Sequence, residues 1–297
     1  MRREVILLAC VGCSAGKDAG APGTLASDSG ATDSGFHVED GGFLADAPPG
    51  DSIPGDDCAE ELKQIFVVTQ ENQLHRFAPA TATFTKIGNL SCSAGFATPF
   101  SMAVDRKGTA WVLFNDGKLY KVSTTDASCS STTYAVGQGG FTTFGMAYVR
   151  EGVSEGFFVA DYAGKGIAKI DVTTMKLTFV GAYGGFAGPG ELTGRGDQLF
   201  AFFNKTPSPS LPARVATIDK STGKLGTVKN LAGIEVGSGW AFAHWGGTFW
   251  LFHAPTGKSQ VTEYDFEKAS STTVKTGLPF VIVGAGVSTC APTERPK

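Results

Sequence analysis

Three stretches carry the residue types of known catalytic or binding loops, and in each the surrounding sequence points elsewhere. "FVIVGAGVST" sets Gly284 and Gly286 behind an apolar run, as a dinucleotide fingerprint does, with Thr289 where the third glycine belongs. That fingerprint works by resting a pyrophosphate on a following helix within a crossover unit. Eight residues remain after Thr289, so the glycines are expected in a closing strand where elements crowd. "GVSEG", Gly152 to Gly156, has the spacing of a nucleophile elbow, which needs a helix after the serine. A further apolar strand, "GFFVADY", follows instead, and a hairpin is expected. "TGKS" at 256–259 lacks the upstream glycine of a phosphate-binding loop.

The carboxylates Asp171, Asp219 and Asp265 recur ahead of turns, and Asp105 stands likewise in "VDRKG". At such positions an aspartate accepts bonds from backbone amides a few residues on and sets the turn. His37, His75, His244 and His253 form no HExxH-like cluster, and Cys58, Cys92, Cys129 and Cys290 lack zinc spacing. No metal or other cofactor is expected. One constellation remains: Gln70, Asn115, Asp161, Asn204 and His253 each end an apolar strand. The loops Gly95-Phe96, Gly140-Phe141 and Gly185-Phe186 are expected on the same face. Phe96 and Phe141 beside amide, carboxylate and imidazole groups make a candidate site for a sugar, a peptide or another small polar ligand.

These residues are positioned by a repeat. "GFATPFSMA" at 95–103 returns as "GFTTFGMA" at 140–147, and "GFAGPGELT" and "GSGWAFA" are worn copies. A second marker, an apolar residue before a turn, falls at Phe77, Val122, Ile170, Ile218 and Tyr264, with steps of 45, 48, 48 and 46 residues. With 40 Gly and 22 Phe and few helix-forming runs, that period is the signature of a four-stranded propeller blade. Blade two reads "SMAVDR", "TAWVLFN", "KLYKVS" and "SSTTYAV", strands A to D from the axis outward. The first blade offers three strands, "IFVVTQ", "QLHRFAP" and "TFTKIG", and one strand, "VIVGAGVSTC", is left at the far end. Placing it as strand A of blade one completes an all-β, five-bladed β-propeller and leaves no long open sheet edge. Closure brings Cys290 near Cys58, and Cys92 with Cys129 forms the second expected disulfide.

The leader "MRREVILLACVGCSAG" has a charged start and an apolar run too short to span a bilayer. It resembles a bacterial lipoprotein signal, which implies acylation at Cys10, after Leu7-Leu8-Ala9, or at Cys13. Residues 14–57, rich in Gly, Ala, Ser, Asp and Pro, then form a disordered acidic tether, with the propeller over residues 58–297. Turns such as "IDKSTG" are similar to those of quinoprotein-like and lactonase-like repeats, and the whole resembles the five-bladed propellers of bacterial surface lipoproteins. That resemblance implies a monomeric, exported, lipid-anchored module that meets a glycan, a peptide or an envelope protein. A net charge of −3 offers no basic surface for nucleic acid. Two other functions fit the same fold: a glycoside hydrolase with axial carboxylates, for which Glu191 and Asp161 are the candidates, and a structural subunit of the envelope.

Overall fold

The computed structural model describes residues 58–184, 188–207 and 210–297. Cys10, Cys13, the tether and the pair Gly185-Phe186 lie outside the described residues. Five four-stranded antiparallel sheets follow one another around a central axis. Blade two comprises Pro99–Val104, Thr109–Phe114, Leu119–Ser123 and Cys129–Ser131, strands A to D. Blade three comprises Phe144–Glu151, Ser154–Asp161, Ile167–Asp171 and Lys176–Gly181, and blade four Gly190–Arg195, Gln198–Phe203, Arg214–Ile218 and Leu225–Asn230. Blade five is built from Trp240–Trp245, Thr248–His253, Gln260–Asp265 and Ser270–Lys275.

Blade one draws on both ends of the fold. Its strands B to D are Ile65–Thr69, Gln73–Ala78 and Thr83–Asn89, and its strand A is the C-terminal Ile282–Gly286. The two ends pair antiparallel, with Phe66 opposite Gly286 and Val68 opposite Gly284. Cys58 is bonded to Cys290 just outside this pair, and Cys92 to Cys129 ties the loop leaving blade one to the outer strand of blade two.

Burial falls from the axis outward. Strand B of blade one is buried throughout, and so is that of blade five beyond its first residue, whereas the outer Ser270–Lys275 is almost entirely exposed. A strand sandwiched between two blades has no solvent face, which is why "FVV" and "FWLF" read as unbroken apolar runs. Five apolar clusters fill the five gaps between blades. Trp111, Tyr148 and Phe157 hold blade two to three, and Phe200, Phe242 and Phe249 hold blade four to five. In four blades the register slips by a residue between strands C and D. Such bulges twist the outer strand and blunt its exposed edge.

Crowding is greatest at the axis, where each strand A packs against the next. A Cβ at Gly145 would lie 2.7 Å from the Glu191 Cα, and one at Gly284 would lie 2.8 Å from the Met102 nitrogen. Gly284 and Gly286 therefore serve close approach of backbones. "GVSEG" is a hairpin, with Glu151 opposite Ser154 across Gly152-Val153. Asp105 sets the corresponding turn of blade two, its carboxylate accepting from the amides of Lys107 and Thr109 and from the Trp111 indole. Asp171, Asp219 and Asp265 accept from downstream amides in the same way. These amides hold the Asp171 carboxyl below the usual range, while the Ser221 hydroxyl and the Lys268 ammonium do most to lower Asp219 and Asp265, with the amides adding to them.

Outer strand D of blade two departs from expectation. It ends at Ser131, so "TTYAV" is not strand. Thr132 donates its hydroxyl to the Leu119 carbonyl, and Tyr134 turns inward to meet Phe144 edge-on at 6.0 Å. Burying that ring outweighs extending an exposed edge.

Candidate functional site

Each strand B ends where the chain turns back from one face of the propeller, and a backbone bond marks the same position in every blade. The amides of Gln70, Asn115, Tyr162, Asn204 and Ala254 donate to the carbonyls of Val281, Thr98, Thr143, Pro189 and Gly239, each just before or at the entry of a strand A. The equivalent residues are therefore Gln70, Asn115, Tyr162, Asn204 and Ala254. Asp161 and His253 belong one position earlier, opposite Phe144 and Trp240. Successive side chains of a strand point to opposite faces, so a register error of one residue changes what each can reach.

The displaced pair has structural work. Asp161 is buried and its carboxylate accepts from the Lys165 amide at 3.0 Å, closing the turn into strand C. His253 is buried, with Nδ1 2.7 Å from the Glu235 carbonyl oxygen and Nε2 2.9 Å from the Thr262 hydroxyl and 3.2 Å from the Gln260 amide. A carbonyl only accepts, so Nδ1 carries the proton and Nε2 accepts. Burial lowers the pKa of this ring, which keeps it neutral.

Asn204 is half-buried and its carbonyl oxygen accepts from the Lys205 amide. Asn115 is exposed, its side chain bonded at both ends to Thr98. The two loop phenylalanines part company. Phe96 stands fully in solvent, whereas Phe141 is buried and meets Phe179 edge-on at 6.3 Å.

A cavity of about 290 Å³ opens on this face, lined by Gln70, Phe100, Asn115, Tyr162, Ser238 and Trp240 among others. Tyr162 joins its aromatic walls, with ring centroids 4.6 Å from Phe100 and 5.7 Å from Trp240. Its hydroxyl points down and donates to the Glu191 carboxylate at 2.5 Å, while the Ser101 hydroxyl donates to the other carboxylate oxygen at 2.8 Å. Glu191 is fully buried at the axis. Burial pushes its carboxyl up to about 8, against the two hydrogen bonds, which favour the charged form. Burial, and then the neighbouring Glu191, drive the Tyr162 hydroxyl well above its ordinary range.

Thus Gln70 and Asn115 come together at one cavity, while Asp161, Asn204, His253, Phe96 and Phe141 do not line it. Phe100, Tyr162, Trp240 and Ser101 are not among the sequence candidates, whereas Glu191 beneath them is one, named there as an axial carboxylate. Phe100 and Trp240 are aromatics at the entry of a strand A, but so is Phe144, which is buried against Tyr134 instead, so this position alone does not mark the cavity. Among the described residues, no carboxylate or cationic side chain lines the cavity itself, and no cluster of histidine, cysteine and acid residues could hold a metal ion.

Glu191 also predicts a pH dependence of stability. Its folded pKa lies above the unfolded value, so the folded state holds the extra proton between about pH 4.5 and 8. Stability contributed by that proton is complete below this window and declines as pH rises through it. Glu191→Gln, which mimics the neutral acid, is expected to flatten the decline in urea midpoints measured from pH 4.5 to 8.5. An unchanged slope would show that Glu191 is ionised in the folded protein.

No family model matches the chain, and no curated protein matches it. Among solved structures, it is similar to a chain of a nidogen/laminin complex, at 13% identity and a TM-score of 0.46, over 80% of this chain and 83% of that one. It is similar to hydrazine synthase of Kuenenia stuttgartiensis at 12% and 0.44, over 81% and 72%. The extracellular domain of a one-component system of B. thetaiotaomicron aligns at 14% and 0.40, over 74% of this chain and 28% of that one. At these values the similarities carry no argument about what the chain binds, and the architecture rests on its own strand pairing.

Proposed function

We propose that the chain is an exported binding module, displayed at the cell envelope on a lipidated tether, whose axial mouth receives a small polar ligand or a peptide. The observation that carries this reading is the open cavity bounded by Phe100, Tyr162 and Trp240, with the Gln70 and Asn115 amides beside them. Apolar walls supply burial, and a few polar groups supply orientation. Two disulfides, one bridging 232 residues, support an oxidising compartment. Acylation at Cys10 or Cys13 follows from the leader's likeness to a lipoprotein signal, and an intact mass that includes residues 1–9 would remove it.

The glycosidase alternative has one favouring observation, a buried axial carboxyl with the raised pKa of a general acid. Against it, the candidate partner Asp161 uses a carboxylate oxygen to accept from the Lys165 amide, closing a turn. The binding reading is tested with a glycan, peptide and metabolite array probed with the full chain. Retained ligands are expected to lose at least tenfold in affinity with the Phe100→Ala/Asn115→Ala variant. Ligands held equally well by wild type and variant would place binding away from the axial mouth.

A further inference from the structure

We infer that the axial mouth selects a ligand bearing an organic cation, a protonated amine or a quaternary ammonium, held by the Phe100, Tyr162 and Trp240 rings above the Glu191 carboxyl. This rests on the mouth being the binding site and names the ligand class it takes. Three aromatic residues line one small cavity, and Tyr162 touches the other two. The ring faces of Tyr and Trp attract cations by their quadrupoles, most strongly where water is displaced. No cationic side chain lines the cavity to repel such a group. Beneath the rings lies Glu191, reached from the cavity through the Tyr162 hydroxyl. A neutral sugar would use the rings and the rim amides but would leave this buried acid without a role.

The surroundings of Glu191 make it responsive to an arriving charge. Ser101 faces it from blade two, Gly145 and Tyr162 from blade three, and Phe202 is paired with it across blade four. Toward blade five, the Thr193 hydroxyl accepts from the His244 amide. Of these groups Tyr162 titrates far above neutrality, and burial, then Arg195, lower His244 to about 3. Neither supplies a counter-charge to Glu191, whose carboxyl burial pushes up against its two hydrogen bonds. A bound cation favours the carboxylate, and the proton passes to solvent.

The test is calorimetric titration of the full chain with choline and with its neutral isostere 3,3-dimethyl-1-butanol. Choline is expected to bind at least tenfold more tightly, to release protons at pH 7 when phosphate and Tris buffers are compared, and to weaken at least tenfold with Glu191→Gln. Equal binding of the two probes would overturn the cation while leaving the mouth as a binding site. So would absence of choline binding; choline binding without proton release would overturn the part given to Glu191, and is read on the wild-type chain without depending on the variant folding. Loss of the binding reading itself would appear separately, as array ligands insensitive to Phe100→Ala/Asn115→Ala.

Discussion

A Cys58→Ser/Cys290→Ser chain is expected to lose about 5 kcal/mol of unfolding free energy relative to the oxidised wild type. The disulfide joins residues separated by 232 positions, and the entropy that a cross-link removes from the unfolded chain grows with the logarithm of that separation. It also sits where the ring is otherwise closed by strand pairing and other noncovalent contacts. Cys290 follows the closing strand, Cys58 precedes the turn Glu60–Lys63, and the Ser288 hydroxyl donates to the Leu62 carbonyl between them. The second disulfide spans 37 positions, so Cys92→Ser/Cys129→Ser should cost less, by about 1.6 kcal/mol on the same scaling. Urea unfolding of the two variants, followed by tryptophan fluorescence, reads the order directly. A larger loss from the Cys92/Cys129 variant would show that closure does not depend on the long-range link.

Gly145→Ala is expected to destabilise the fold by about 3 kcal/mol, the upper end for overpacking. Its new methyl would press on the Gly190 carbonyl oxygen and lie 2.7 Å from the Glu191 Cα. Main chain cannot rotate away as a side chain can, so relief requires blades three and four to separate along the whole inner strand. Gly277→Ala provides the contrast: its φ is +66° but nothing lies within 4 Å, and left-handed strain alone costs about 1 kcal/mol. Thermal or urea melts of the two variants would separate crowding from backbone strain. Equal losses would mean that the inner strands yield more readily than their contacts imply.

The same glycines show how much of the architecture is legible before folding. Period, strand count and closure follow from markers at Phe77, Val122, Ile170, Ile218 and Tyr264, because each blade must repeat one hydrophobic pattern to fill one gap. Gly284 and Gly286 read as a closing strand because blade one has only three strands of its own and this apolar run is the one left to complete it, and the structure pairs them with Val68 and Phe66. Asp105, Asp171 and Asp219 are legible as turn residues because their bonds from backbone amides are local, within four positions.

The candidate site was legible only in part. Gln70 and Asn115 sit at the cavity because the position after strand B is fixed by a backbone bond within each blade. Asp161 and His253 were misregistered because a polar residue that ends an apolar run looks alike whether it is the last of the strand or the first of the turn. Phe96 and Phe141 share a phrase, yet one is solvent-exposed and the other buried. Which of two equal sequences turns inward depends on the neighbour available, and Phe141 has Phe179 to meet.

By itself, the sequence determined a repeating all-β ring with five blades, its closure and its local turns, since these rest on periodicity and on contacts between residues close along the chain. Tertiary structure alone decided the site. Glu191 meets Ser101 from 90 positions away and Tyr162 from 29, and three rings from three blades converge above them. No local pattern encodes such a meeting, because it is set by the rotation of each blade about the axis, and burial there then gives the carboxyl its raised pKa.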